Sequence, residues 1–191
     1  MSFTLDRQFG NDRQRLRYCV CRKTGLALRK VLNVLYRGAA TEAALEGFPS
    51  IAFSGISNAK VSYTTLTTNP NSAASIAAGI YTQLSINFIQ VLLNNPTPLL
   101  PVNTSLNINY PSTSSCTVAN TKFILTRLLK GPTGQDVNHC GTTTLPDESS
   151  TIKLGCYATV SVFSALNKGD VPASTQAAVL QNIQSIINCL P

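Results

Sequence analysis

Gly38 to Gly55, GAATEAALEGFPSIAFSG, is the stretch whose reading decides the fold. Small, helix-favouring residues from Ala39 to Glu46 predict a short helix. Gly47 followed by Phe48-Pro49 is the stop signal of a helix C-terminus, because glycine takes left-handed backbone freely and proline cannot continue the helix. Ser50-Ile51-Ala52-Phe53-Ser54 is then a short apolar run closed by Gly55, as a buried strand requires. A helix running into a buried strand is the repeating unit of an α/β domain with a parallel sheet.

Downstream the pattern continues. Ser72 starts a long helix in which Ile76, Ile80, Leu84, Phe88 and Val91 or Leu92 recur at the spacing of one buried face, and Asn95-Pro96 ends it. SLNINYP (Ser105–Pro111), KFILTRLL (Lys122–Leu129) and GCYATVSVFSAL (Gly155–Leu166) read as strands, with a long irregular segment over 131–151. Pro172 is placed in the first turn of a closing helix over 173–188, with Ala177, Leu180, Ile183 and Ile187 inward. The prediction is a layered α/β fold with a sheet that is at least partly parallel.

Upstream the chain changes character. Residues 1–37 hold nine Lys or Arg and two Asp, whereas residues 38–191 hold six of each sign, so the net charge of +7 belongs wholly to the first fifth. Residues 1–37 carry no sustained period, although Leu26 to Arg37 could form a few amphipathic turns. Three explanations stay open for this segment: an arm binding nucleic acid or an anionic membrane, a solvated tail, or a frame or exon error joined to a genuine domain at Arg37/Gly38. Nucleic acid is not the expected partner, because the charge is confined to that segment. No run of about 7–15 apolar residues marks a signal peptide, and no stretch is read as a membrane span of roughly 20 apolar residues.

With 191 residues, 43% of them hydrophobic and 12% charged, the chain can bury one ordinary core. Of six cysteines, Cys116, Cys140, Cys156 and Cys189 lie in the Ser/Thr/Asn-rich part, where two disulfides of any of three connectivities fit a secreted or vacuolar protein. Asn103-Thr104-Ser105 is a glycosylation sequon. With secreted-type cysteines and no address, the chain is expected to have lost its beginning.

Gly38-Ala39-Ala40-x-Glu42, then Gly47-x-Pro49 and Ile51-Ala52-Phe53-Ser54, resemble the G-A-A-M-E…G-I-P-A-I-A-F-S segment of the SurE-like phosphatase/nucleotidase family. Leu106 to Pro111 resembles its L-N-V-N-x-P strand, GCYATVSVFSAL its G-Y-x-S-V-T-P-L strand, and the four cysteines with the ending INCLP are similar to fungal secreted acid phosphatases. The resemblance covers 38–191. It implies a Rossmann-like layered SurE-type fold, here incomplete in its N-terminal half. It also implies a divalent metal (Mg or Mn), hydrolysis of phosphate monoesters including nucleotides, and a possible homodimer.

That chemistry needs adjacent carboxylates, a serine and an asparagine to hold the cation, which polarises the phosphoryl oxygen. The family draws them from N-D-D-G, S-G-x-N-x-G-x-N and S-G-T-V motifs upstream of the residue aligned with Gly38. Here Val34-Leu35-Tyr36-Arg37 stands in place of S-G-T-V, and no Asp-Asp pair exists in the sequence. Asn11-Asp12-Arg13 is a poor imitation of N-D-D-G, and Asn33 lacks the flanking glycines. No catalytic or metal residue is therefore assigned, and the chain is expected to be inactive. Gly38, Thr41 and Glu42 are expected near the substrate, with a helix-capping role for the last two as the plainer reading. His139, the single histidine, is read as a surface loop residue, and Asp147-Glu148 as a solvated turn. The alternative is a non-enzymatic, disulfide-stabilised secreted or oligomerisation module.

Overall fold

The computed structural model describes residues 2–9, 12–22, 38–56, 61–95 and 98–191, the first two stretches as backbone only. Asn11, Asn33 and the stretch Leu26–Arg37 lie outside the described residues.

The GAATEAALEGFPSIAFSG segment folds as its residues predict. Residues 38–45 are helical (α1), and Gly47 takes φ +81° just beyond them. The Phe48 amide donates to Ala43 O at 2.9 Å and the Gly47 amide to Ala44 O at 3.1 Å, which satisfies two carbonyls the helix end would leave bare. Ser50–Gly55 then forms β3, buried along its whole length.

β1 (Ser2–Phe9) and β2 (Asp12–Arg22) precede it, in a segment whose sequence shows no strand period. They pair antiparallel with each other, and β2 runs parallel to β3. After a short α2 (Thr65–Thr68), the long helix α3 (Ala73–Leu93) is capped by the Ser72 side chain, which accepts from the Ser75 amide at 3.2 Å. β4 (Thr104–Tyr110), β5 (Lys122–Thr126), α4 (Glu148–Thr151), β6 (Tyr157–Ser164), α5 (Ala173–Ile183) and β7 (Ile187–Asn188) complete the chain. The sheet order is β1-β2-β3-β4-β6-β5-β7. β2, β3 and β4 are mutually parallel; β6, β5 and β7 run the opposite way.

The strand period of two divides the sheet into unlike faces. Ile51, Phe53, Leu106, Ile108, Tyr110, Phe123, Leu125, Val160 and Val162 share one core with Leu84, Phe88 and Leu92 of α3 and Val179 and Ile183 of α5. Tyr110 lies near the middle of its aromatic contacts, with ring centroids 5.4 Å from Tyr81, 6.0 Å from Phe53 and 6.3 Å from Phe123. The other face packs Ala52 and Phe163 against Ala40 of α1 and Leu128. Hydroxyls on that face pair with their neighbours: Ser50 Oγ donates to Ala40 O at 2.7 Å, Ser105 Oγ to Ser50 O at 2.9 Å, and Thr126 and Ser161 share a 2.7 Å bond.

Two helix faces differ from expectation. Ile76 is 50% exposed, because the inward face of α3 begins at Ser75 and Ala77 and only then reaches Leu84, Phe88 and Leu92. α5 stops at Ile183 rather than 188, with Gln176 and Val179 inward, and Ile187 pairs with Phe123 on the edge of the sheet. Pro172 is the N-cap, not a first-turn residue. α3 is also the one helix among the described residues long and apolar enough, at 21 residues, to cross a membrane; here its inward face packs on the sheet.

Candidate functional site

Parallel strands present their ligands at their carboxyl ends, where the loops that leave them converge. Here β2, β3 and β4 end level with one another, since Arg22 is opposite Gly55 and Gly55 opposite Tyr110. Beyond the ladder the Ile56 amide still donates to Tyr110 O at 3.2 Å. Tyr81, from α3, closes over this edge: its hydroxyl lies 2.8 Å from Pro111 O and 3.1 Å from Ile56 O. Gly55 lies directly under the Tyr81 ring, where a Cβ would collide with it. The Tyr110 phenol is buried against Ser85 at 2.8 Å, and burial drives its pKa far above the usual tyrosine range. It stays neutral, so its role is to hold the edge.

Gly38, Thr41 and Glu42 all lie in the described helical stretch 38–45. Glu42 is exposed on the helix surface. Thr41 is 3% exposed and its hydroxyl has no hydrogen-bond partner; the Ser54 hydroxyl at the end of β3 is buried in the same condition.

The acids are occupied elsewhere. Asp136 takes the Arg127 guanidinium at 3.0 Å, Gln176 Nε2 at 2.8 Å and the Leu145 amide at 2.9 Å. Asp170 accepts the Leu128 amide at 2.7 Å. Asp147 and Glu148 do not form the solvated turn that the sequence suggests. Asp147 caps α4 by accepting the Ser150 amide at 3.0 Å, and Glu148 accepts Asn107 Nδ2 at 2.5 Å. The Ser150 hydroxyl also bonds Asp147 and, as the largest influence, holds its carboxyl below its usual value.

These positions matter for a metal. The backbone at Asp147 forms a parallel bridge with that of Arg127 just past the carboxyl end of β5, which runs opposite to β3 and β4, so Asp147 lies toward the far end of the sheet from Gly55. Asp12 starts β2, ahead of Arg17, which is level with the amino end of β3. Neither acid stands at the edge where β3 and β4 deliver their loops. Among the described residues, one grouping of three potential metal-binding side chains exists: His139, Cys140 and Cys189, with ligand atoms within 4.8 Å of one another. Mg and Mn demand oxygen ligands, and both sulfurs there are bonded to each other. The described residues therefore do not fit the family's divalent cation.

The disulfides are Cys116–Cys156, with Cα atoms 5.3 Å apart, and Cys140–Cys189, at 5.7 Å. The first joins the loop after β4 to the start of β6; the second ties the segment after β7 to the long loop before α4. Beside the second lies a cleft of about 430 Å³, lined among others by Lys130, His139, Thr142, Asp147 and Asn188. His139 is half-buried rather than a free surface residue, and its Nε2 is buried without a partner. Asn103, the sequon residue, has φ 55° at the entrance to β4, and the Ser105 hydroxyl is turned inward onto Ser50.

The Arg127–Asp136–Gln176 network has no signature in the sequence, for Gln176 lies 40 residues from Asp136 along the chain. Tyr81 over the carboxyl edge has none either, because an aromatic on a helix reads only as core.

Three comparisons bear on identity. Residues 36–134 match the family model of Survival protein SurE. The crystal structure of the SurE protein from Aquifex aeolicus is similar at 18% identity and a TM-score of 0.41, over 82% of this chain and 59% of that one. No curated protein matches. With over half its length matched by the family model, the chain belongs to the SurE family.

Proposed function

We propose that this chain supplies the scaffold and substrate-side half of a SurE-type phosphatase/nucleotidase acting on phosphate monoesters, and that its own residues do not hold the Mg or Mn ion. The family match over 36–134 carries the first part. The second rests on the sequence, which has no Asp-Asp pair, and on the engaged carboxylates far from the carboxyl ends of β3 and β4. A metal supplied there would polarise a phosphoryl oxygen. This chain's part is to set the edge: Tyr81 and Gly55 fix the exits of β3 and β4.

Two further features belong to the proposal: a secreted or vacuolar setting, which the disulfides support, and a homodimer. The second reading is a non-enzymatic disulfide-stabilised module, and the placement of both disulfides in the second half of the chain favours it. One experiment separates the two. The purified chain with p-nitrophenyl phosphate and Mg²⁺ or Mn²⁺ stays at the level of a heat-killed control, while a chimaera whose residues 1–37 are exchanged for a SurE segment bearing N-D-D-G gains metal-dependent hydrolysis. Turnover by the chain itself refutes the missing metal site, and a folded but inactive chimaera favours the module.

A further inference from the structure

We propose that His139, Cys140 and Cys189 form a latent zinc site that opens when their disulfide is reduced. The three side chains offer one imidazole nitrogen and two sulfurs within 4.8 Å. A tetrahedral zinc with Zn–S of about 2.3 Å and Zn–N of about 2.0 Å spaces its ligands about 3.5 Å apart, so side-chain rotation closes the set. His139 Nε2 has no hydrogen-bond partner to give up. Cys140 and Cys189 are both exposed, whereas Cys116 of the other bridge is 4% exposed, so a reductant reaches the Cys140–Cys189 bridge ahead of the Cys116–Cys156 bridge. The cleft of about 430 Å³ beside the cluster leaves the fourth coordination position open, with Asp147 and Lys130 among the groups lining it. Two thiolates and an imidazole select zinc over Mg or Mn, which separates this site from the family's hydrolytic metal.

The chemistry balances with a small-molecule dithiol as reductant. Its two sulfurs join as a disulfide while two electrons and two protons pass to Cys140 and Cys189. Zinc then binds both sulfurs as thiolates, and the two thiol protons go to solvent. Because β7 is a two-residue strand at the sheet edge, adjoining Cys189, the exchange of disulfide for metal keeps that edge attached.

The test uses the full chain and cobalt(II) as probe, after limited reduction with a phosphine. Alkylation and mass spectrometry should find Cys140 and Cys189 free while Cys116 and Cys156 remain bridged. The reduced chain should bind one cobalt with a thiolate charge-transfer band and tetrahedral visible bands, and zinc should displace it. The oxidised chain should show neither. His139→Ala and His139→Gln, checked for native circular dichroism while oxidised, should weaken cobalt binding by at least the roughly tenfold that loss of an outer-shell partner costs. The proposal is overturned by absent cobalt bands, by unchanged affinity in both histidine variants, by prior reduction of Cys116–Cys156, or by loss of the native circular dichroism on reduction.

Discussion

Asp136 is 4% exposed and its carboxylate is surrounded by donors: the Arg127 guanidinium, the Gln176 amide and the Leu145 amide all point at it. A buried charge is tolerated only when so paired, and removing one partner strands the other. Asp136→Ala is expected to destabilise the fold by about 3–5 kcal/mol in urea denaturation, since it leaves Arg127 without its closer anion and frees the loop before α4. Asp147 behaves differently because it is only partly buried. Its carboxyl is held below its ordinary 3.8, first by the Ser150 hydroxyl, against the opposing effect of burial and with weaker help from nearby backbone amides. A folded value below the unfolded one stabilises the fold fully above that ordinary value, and the benefit is lost as pH falls through the lower folded value. Asp147→Asn should therefore flatten the acid limb of the melting-temperature profile below about pH 4 and leave its slope near neutrality unchanged.

At the scale of elements, the stretches most legible in the sequence are those where one force decides. Gly47 and the apolar run after it mark α1 and β3, because a left-handed helix end and a fully buried strand each leave a local trace. Where two forces compete, the sequence misleads. α3 is apolar around much of its circumference, so its period alone does not separate the buried Phe88 from the half-exposed Ile76. Phe88→Ala should cost about 3–5 kcal/mol, whereas Ile76→Ser should fall within about 0.5 kcal/mol of the parent, both read from denaturant midpoints. An equal cost for the two would mean the helix is rotated from the orientation described. β7 is hidden for a different reason: Ile187 and Asn188 become a strand only through pairing with Phe123 and Ile124, far away along the chain.

The molecule as a whole is a three-layer α/β domain whose parallel strands β2, β3 and β4 end at one edge, with Tyr81 over it and α1 on the opposite face. Family membership is legible because G-A-A-x-E, L-N-x-N-x-P and their spacing are local patterns. The disulfide pairing is not, since four cysteines permit three connectivities and only the folded chain brings Cys116 to Cys156 and Cys140 to Cys189. The candidate site is legible only in part: Thr41 and Glu42 can be placed on a helix, but the unpartnered Thr41 and Ser54 hydroxyls emerge from packing alone. The proposed whole is a phosphohydrolase scaffold separated from its cation. Titrating Mn²⁺ into the purified, oxidised chain while monitoring the free-ion electron paramagnetic resonance signal tests that most directly. The signal should rise in proportion to added metal, as in buffer alone; stoichiometric loss of one Mn²⁺ per chain would contradict the account.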